Sequence, residues 1–501
     1  MRVLKATTLS LLVAASATFH AGANAPDDDG AIVHALGRLG FGARPGDVER
    51  VRAMGLDKYI ERQLEPSKID DSRVAERLAQ FQTLALSNSE IVSKYYTPPQ
   101  QQNRAQNRPP QPPPPPTEPG QMAVPAEMRQ LRNQANLPII ELSQQKLLRA
   151  IYSDRQLEEV LVDFWFNHFN VFQGKGQFAR FYLTEYEREA IRPHVLGKFR
   201  DMLGATAKSP AMLWYLDNWM SAAPDTDVQM AAARRARGGG RPGMQQPAQP
   251  QRPPRGLNEN YGRELLELHT LGVDGGYTQQ DVVEVARAFT GWTIEAPRRG
   301  GGNFLFNPRM HDNGAKTVLG TPIPAGGGQR DGERVLDMLA AHPSTARHIA
   351  RKLATRFVSD TPSQALVDRA AKVFLDTGGD LKHVTRAIVT SPEFMAAEAR
   401  GVKVKTPLEF AVSAIRASGA EVRNAAPLVQ QLRTLGMPLY GAQPPTGYDD
   451  TAASWINSGA LIARMNFAAA LAANRLPGTR VPAADPEPLA RRLGSPQFQK
   501  R

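Results

Sequence analysis

The chain has 501 residues, of which 41% are hydrophobic, enough to build a sizeable core. It contains no cysteine, which excludes a disulfide framework, a thiolate nucleophile and a cysteine-ligated metal. Its formal charge of +12 looks like a nucleic-acid signature, but the excess sits in the first residues, in two low-complexity stretches and after Arg475. The remainder is close to neutral, so no specific nucleic-acid surface is expected.

In chain order, Arg2 and Lys5 precede an apolar run over 9–15, and small residues at Ala21-Gly22-Ala23-Asn24-Ala25 offer cleavage after Ala23 or Ala25. The acidic, helix-breaking Pro26-Asp27-Asp28-Asp29-Gly30 comes next. This order predicts a signal peptide over 1–25 and an exported product: periplasmic, at the cell surface or extracellular. No twin arginine is present, which favours the general secretion route. No other stretch reaches the roughly 18 apolar residues of a membrane span, so none is expected.

A large, mostly α-helical domain is predicted over 26–473. Residues 45–64 place Val48, Val51, Leu56, Tyr59, Ile60 and Leu64 at helical spacing. Two insertions interrupt the domain, about 97–125 and 234–256, rich in Pro, Gln, Gly and Arg. Such compositions bury too little apolar surface to offset chain ordering, and both are read as disordered. Thr278 and Asp281 form a capping box ahead of Val282, Val285 and Phe289. Phe304-Leu305-Phe306 and Thr317-Val318-Leu319 flank Asp312-Asn313-Gly314, the signature of a small β-hairpin. Asp380 opens a helix over 381–389, Ser391-Pro392 restarts the chain, and Thr406-Pro407-Leu408-Glu409 starts another helix. Residues 474–501 are read as a flexible basic tail.

Several blocks then carry a resemblance. They are His34-Ala35-Leu36-Gly37-Arg38-Leu39-Gly40-Phe41-Gly42, Trp165-Phe166-Asn167-His168-Phe169, and the stretch 258–272 with Asn258, Arg263, Glu264, Glu267, His269 and Gly272. Ala288-Phe289-Thr290-Gly291-Trp292, the run from His311 to Gly320, Lys352 with Phe357 and Asp360, and Pro444-Pro445 with Gly447-Tyr448 complete the set. Together they resemble the bacterial family catalogued as domain of unknown function number eighteen hundred. The resemblance implies an exported, predominantly helical protein with no settled activity. It also implies a neighbour, since members are often encoded beside exported proteins whose fold resembles alkaline phosphatases and sulfatases.

The chemistry-bearing residues have a structural reading and a functional one. On an ideal helix over 258–271, Tyr261, Leu265, Leu268 and Leu271 form the buried face, with Glu264 and His269 on its flanks. Asn258 caps this helix, and Glu259, Arg263 and Glu267 make an i, i+4, i+8 ion ladder. Either Glu264 and His269 bond neighbouring helices, or they converge with His168 and His311 on a shared cavity. Convergence would make His168, Glu264 and His269 an acid–base set, with His311 and Asp312 ligating a divalent metal. The spacing is not His-Glu-x-x-His, no Gly-x-Ser-x-Gly elbow occurs, and neither glycine triplet has the context of a phosphate loop. The expectation is therefore an exported protein binding a partner protein, such as the phosphatase/sulfatase-like neighbour, or a cell-envelope polymer. A metal-dependent or acid–base envelope hydrolase is the alternative.

Overall fold

The computed structural model describes residues 28–96, 126–224, 256–296, 301–482 and 485–501. The signal segment and the two insertions (all but Gly256 of the second) lie outside the described residues.

Helices arise from local signals. The capping boxes of Thr278 with Asp281 and of Thr406 with Glu409 are both formed, and Asp380 and Ser391 cap the helices they precede. The principal elements are α1 (Asp29–Arg38), α2 (Ala126–Tyr152), α3 (Gln156–His168), α4 (Phe199–Lys208), α5 (Asn260–Glu264) and α6 (Gln279–Ala288). Then come α7 (Gln329–Ala340), α8 (Pro343–Phe357), α9 (Pro407–Ala417), α10 (Ala426–Thr434), α11 (Ser458–Ala472) and α12 (Pro486–Gly494), with further helices between, Gln364–Asp376 among them. The expected helix over 45–64 is two, Asp47–Met54 and Leu56–Gln63, because Gly55 turns the chain at φ +88°. One hydrophobic cluster runs from Ile32 to Leu493 and includes the fully buried Trp165, Trp292 and Phe199. No described helix is long and apolar enough to cross a membrane.

Among the described residues six short strands make three antiparallel pairs: β1 (Trp292–Ile294) with β2 (Phe304–Phe306), β3 (Lys316–Val318) with β4 (Thr321–Ile323), and β5 (Glu421–Val422) with β6 (Thr479–Arg480). The two strands expected to pair across Asp312-Asn313-Gly314 therefore each take another partner. The tight turn lies instead at Leu319-Gly320, where φ is +49° and +73°. Successive positive φ values are those of the hairpin turn whose twist matches the strands it joins. Asp312 is removed from that role by its ion pair with Arg287.

The flexible tail expected over 474–501 is corrected as well. Thr479–Arg480 forms β6, α12 packs along α11, and the Arg501 amide donates to the Lys403 carbonyl at 2.8 Å. Counting charge predicted solvation, but α12 buries Leu493 and the buried Arg501 guanidinium meets Glu409 at 3.1 Å.

Candidate functional site

The expected helix over 258–271 starts as α5 and widens into a π-helical turn, Leu265–Thr270. The cap position falls on Glu259, which makes no side-chain cap bond; Asn258, expected to cap, stands one residue earlier and accepts from the Asn260 amide at 2.9 Å. The wider turn rotates the later side chains about the helix axis. Leu266 becomes fully buried, Leu268 moves to the margin, and His269 swings inward to 1% exposure. Wide turns of this kind recur at functional sites.

At its end the turn leaves carbonyls without an intrahelical partner. Two imidazoles from distant elements take them. His168, at the end of α3, donates from Nε2 to the His269 carbonyl at 3.1 Å. His348, on α8, donates from Nε2 to the Leu268 carbonyl, also at 3.1 Å. A carbonyl only accepts, so both rings carry the Nε2 proton. The His168 ring lies 6.2 Å from that of His269 and 6.1 Å from that of His348, and Phe169 packs against both His168 and His269.

Three imidazoles thus meet without a carboxylate among them. Burial holds all three neutral: His269 is pushed down to about 3, His348 to about 4, and His168 falls well below the ordinary range. Lys352, one turn beyond His348 on α8, adds its positive charge to the same effect on all three. Its own ammonium is pulled down by burial, offset in part by Asp450 and Asp449. Bases so weak take few protons at neutral pH, where general base catalysis works best with a pKa close to the working pH. His168 Nδ1 and His269 Nε2 are buried with no hydrogen-bond partner. Those two nitrogens do not make a metal site: among the described residues, no three His, Asp or Glu side chains come together to hold an ion.

The other expected site residues lie apart. His311 sits between the Thr290 carbonyl, 2.8 Å from Nδ1, and Asp331, 3.1 Å from Nε2. Lys316 donates to the same Asp331 oxygen at 2.7 Å and to the Asp312 and Gly314 carbonyls. Burial alone would raise the Asp312 carboxyl, but Arg287 at 2.8 Å and the Gly314 amide hold it below the usual range. Each acceptor here has a donor, which is the signature of a locked structural node. Glu264 is half-buried, and its carboxyl is raised by burial and by Glu267. Among the described residues it makes no hydrogen bond or ion pair. Among the same residues, no hydrogen bond, ion pair or ring contact joins Glu264, His311 or Asp312 to His168 and His269. The expected four-residue convergence is thereby reduced to one pair, His168 with His269. Spacing along a helix reports which face a side chain occupies, not which neighbour that face meets.

Sequence reasoning missed His348, whose i, i+4 spacing to Lys352 on α8 was the available signal. It also missed the charges behind α3. Lys146 lies 3.2 Å from Asp163 and 3.5 Å from Glu187, Arg192 grips Glu159 at 2.7 Å, and the Tyr440 hydroxyl donates to Glu187 at 2.7 Å. The cleft in front of them, about 10 Å³, is lined by Asp163, Asn167 and Tyr448 and holds one water at most. The Pro444-to-Tyr448 block closes it: the Asn170 amide donates to the Pro444 carbonyl, and the Tyr448 amide to Asn167. Gly447 has φ +72°, and a Cβ there would stand 2.4 Å from the Asn167 carbonyl oxygen. Gly447→Ala should therefore cost about 2–3 kcal/mol, from left-handed strain plus overpacking. An unchanged urea midpoint would contradict that close approach.

The surface differs from these closed centres at α11. Ile456, Leu461, Ile462 and Met465 are 64%, 46%, 59% and 51% exposed. Leu461, Ile462 and Met465 share one helical face. Beside them a groove of about 400 Å³ runs between α10 and α11 and is closed at one end by Arg475, Leu476 and Pro477.

A family model described as "Protein of unknown function (DUF1800)" matches residues 34–501. No curated protein and no solved structure is significantly similar to the chain.

Proposed function

The chain belongs to the DUF1800 family, and from that premise we propose that it is an exported, non-catalytic protein that binds a partner protein through the outer face of α11. The observation that carries this reading is the group of three large apolar side chains left in solvent on one face of α11, Leu461, Ile462 and Met465, with Ile456 also exposed just before the helix. Isolated apolar residues on a surface are ordinary, but a contiguous group rimmed by polar residues marks an interaction surface. An apolar face suits another folded protein better than a hydrated envelope polymer. The buried, neutral histidines have an adequate structural task in closing the π-helical turn, which supports binding over hydrolysis. The alternative, an envelope hydrolase, draws on the His168–His269 contact, and depressed basicity and closed surroundings weigh against it. The partner that the family resemblance offers is the exported phosphatase/sulfatase-like neighbour.

The two full-length proteins, mixed at micromolar concentration, should co-elute in size exclusion, and Leu461→Asp with Met465→Asp should abolish the complex while leaving the melting temperature within about 2 °C. A complex that survives both substitutions would refute the assigned surface, and failure to co-elute would refute the assigned partner.

A further inference from the structure

Resting on that binding reading, we propose that the groove between α10 and α11 receives an amphipathic helix of the partner whose polar flanks are acidic. The floor is apolar, built from Leu435, Ala463, Phe467, Ala470 and Leu476, with the exposed Ile462 on one wall. Along α11 the lining runs from Gly459 to Ala470, about 17 Å at 1.5 Å per residue. That is three turns, enough to seat the two turns over which a docked helix presents anchors at i, i+3, i+4 and i+7.

Charge selects the occupant. Arg475 is the one charged residue lining the groove among the described residues. Arg433, on α10, is exposed, and neither arginine has an acidic partner among the described residues. From Arg423 to Arg480 the chain carries five arginines against Asp449 and Asp450, although Arg464 is buried against the Lys405 carbonyl and Arg480 stands opposite Glu421 in the β5–β6 pair. Both aspartates are already engaged, Asp450 with Arg356 at 2.8 Å and Asp449 with the Ser454 hydroxyl at 2.6 Å. The groove therefore offers apolar burial along its floor and the unneutralised charge of Arg475 at its closed end. A helix with leucines on one face and Glu or Asp beside them satisfies both, whereas an anionic polymer leaves the floor uncovered.

The test uses the full chain and a fluorescent peptide of about 14 residues, with leucines at i, i+3, i+4 and i+7 and glutamates on the flanks. Matched lysine-flanked peptide and polyglutamate serve as controls. Anisotropy should show binding of the acidic peptide, about tenfold weaker binding of the lysine version, and no displacement by polyglutamate. Ile462→Asp and Arg475→Glu should each weaken the acidic peptide about tenfold, with the circular dichroism melt unchanged. Equal binding of both peptides, displacement by polyglutamate, or an unaffected Ile462→Asp variant would overturn the proposal. If the partner complex forms and is lost in Leu461→Asp with Met465→Asp while the acidic peptide fails to bind, only the occupant assigned to the groove is wrong. If neither complex nor peptide binding is seen, the binding reading falls with it.

Discussion

Between pH 7 and pH 5 the protein should lose several kcal/mol of stability, the largest effect expected of any solution variable. His34, His269 and His348 are held at about 4, 3 and 4, with burial the leading cause each time, and His168 lies well below the ordinary value. In the unfolded chain these rings titrate near 6.5. As pH falls through that value the unfolded state takes up protons that the native state refuses, so stability drops until the folded pKa values are reached. At pH 5 each such ring contributes about 2 kcal/mol of loss. The carboxylates held below their ordinary range, Glu409 and Asp450 among them, contribute stability that is lost only at lower pH. Glu264, raised by burial, shifts stability the other way as pH falls, so the net decline in this window is set by the imidazoles against that smaller gain. Urea titrations at pH 7, 6 and 5 should show the decline. Proton uptake on unfolding at pH 5, measured in buffers of different ionisation enthalpy, should shrink by about one in His269→Gln. Stability that stays flat across the window would contradict the neutral, buried histidine centre.

Glu409→Ala should cost about 3–5 kcal/mol, the range for leaving buried charge without its partner. Glu409, at the start of α9, is 3% exposed. One of its oxygens faces Arg356 at 2.9 Å and Arg501 at 3.1 Å, and the other accepts the Thr406 amide at 2.9 Å in the capping box. Burial alone would raise its carboxyl, but the two guanidinium groups hold it below the usual range. Removing it strands two arginines that are themselves 2% and 7% exposed, with Asp450 the remaining anion at Arg356. Thr406→Ala removes the hydroxyl half of the same cap and leaves the ion pairs, so it should cost about 1 kcal/mol. Guanidinium denaturation of both variants separates the roles. A loss in Glu409→Ala no greater than in Thr406→Ala would show that capping, not charge, is what Glu409 contributes.

Both effects originate in interior groups whose importance was only partly legible along the chain. Glu409 was visible as a capping residue, because a cap is a contact between neighbours three positions apart. Its ion pairs were not visible, since Arg356 and Arg501 lie 53 and 92 positions away and only the packing of α8, α9 and the C-terminal segment brings them together.

The same distinction runs through the whole protein. Helix content, the caps at Thr278, Asp380, Ser391 and Thr406, and family membership were determined by the sequence alone. Caps and amphipathic periods are local, set by hydrogen bonds and side-chain spacing within one or two turns. Strand partners, the rotation of Leu266 and His269 by the π-helical turn, the burial of Arg501 and the meeting of His168 with His348 were decided only in the tertiary structure. So was the exposure of α11: its composition is apolar nearly all round, which by itself suits a buried helix. One face stays open because the fold packs α9 and α12 against other sides of α11, and no described element covers Leu461, Ile462 and Met465. Burial depends on which distant segments arrive, and local spacing carries no record of them.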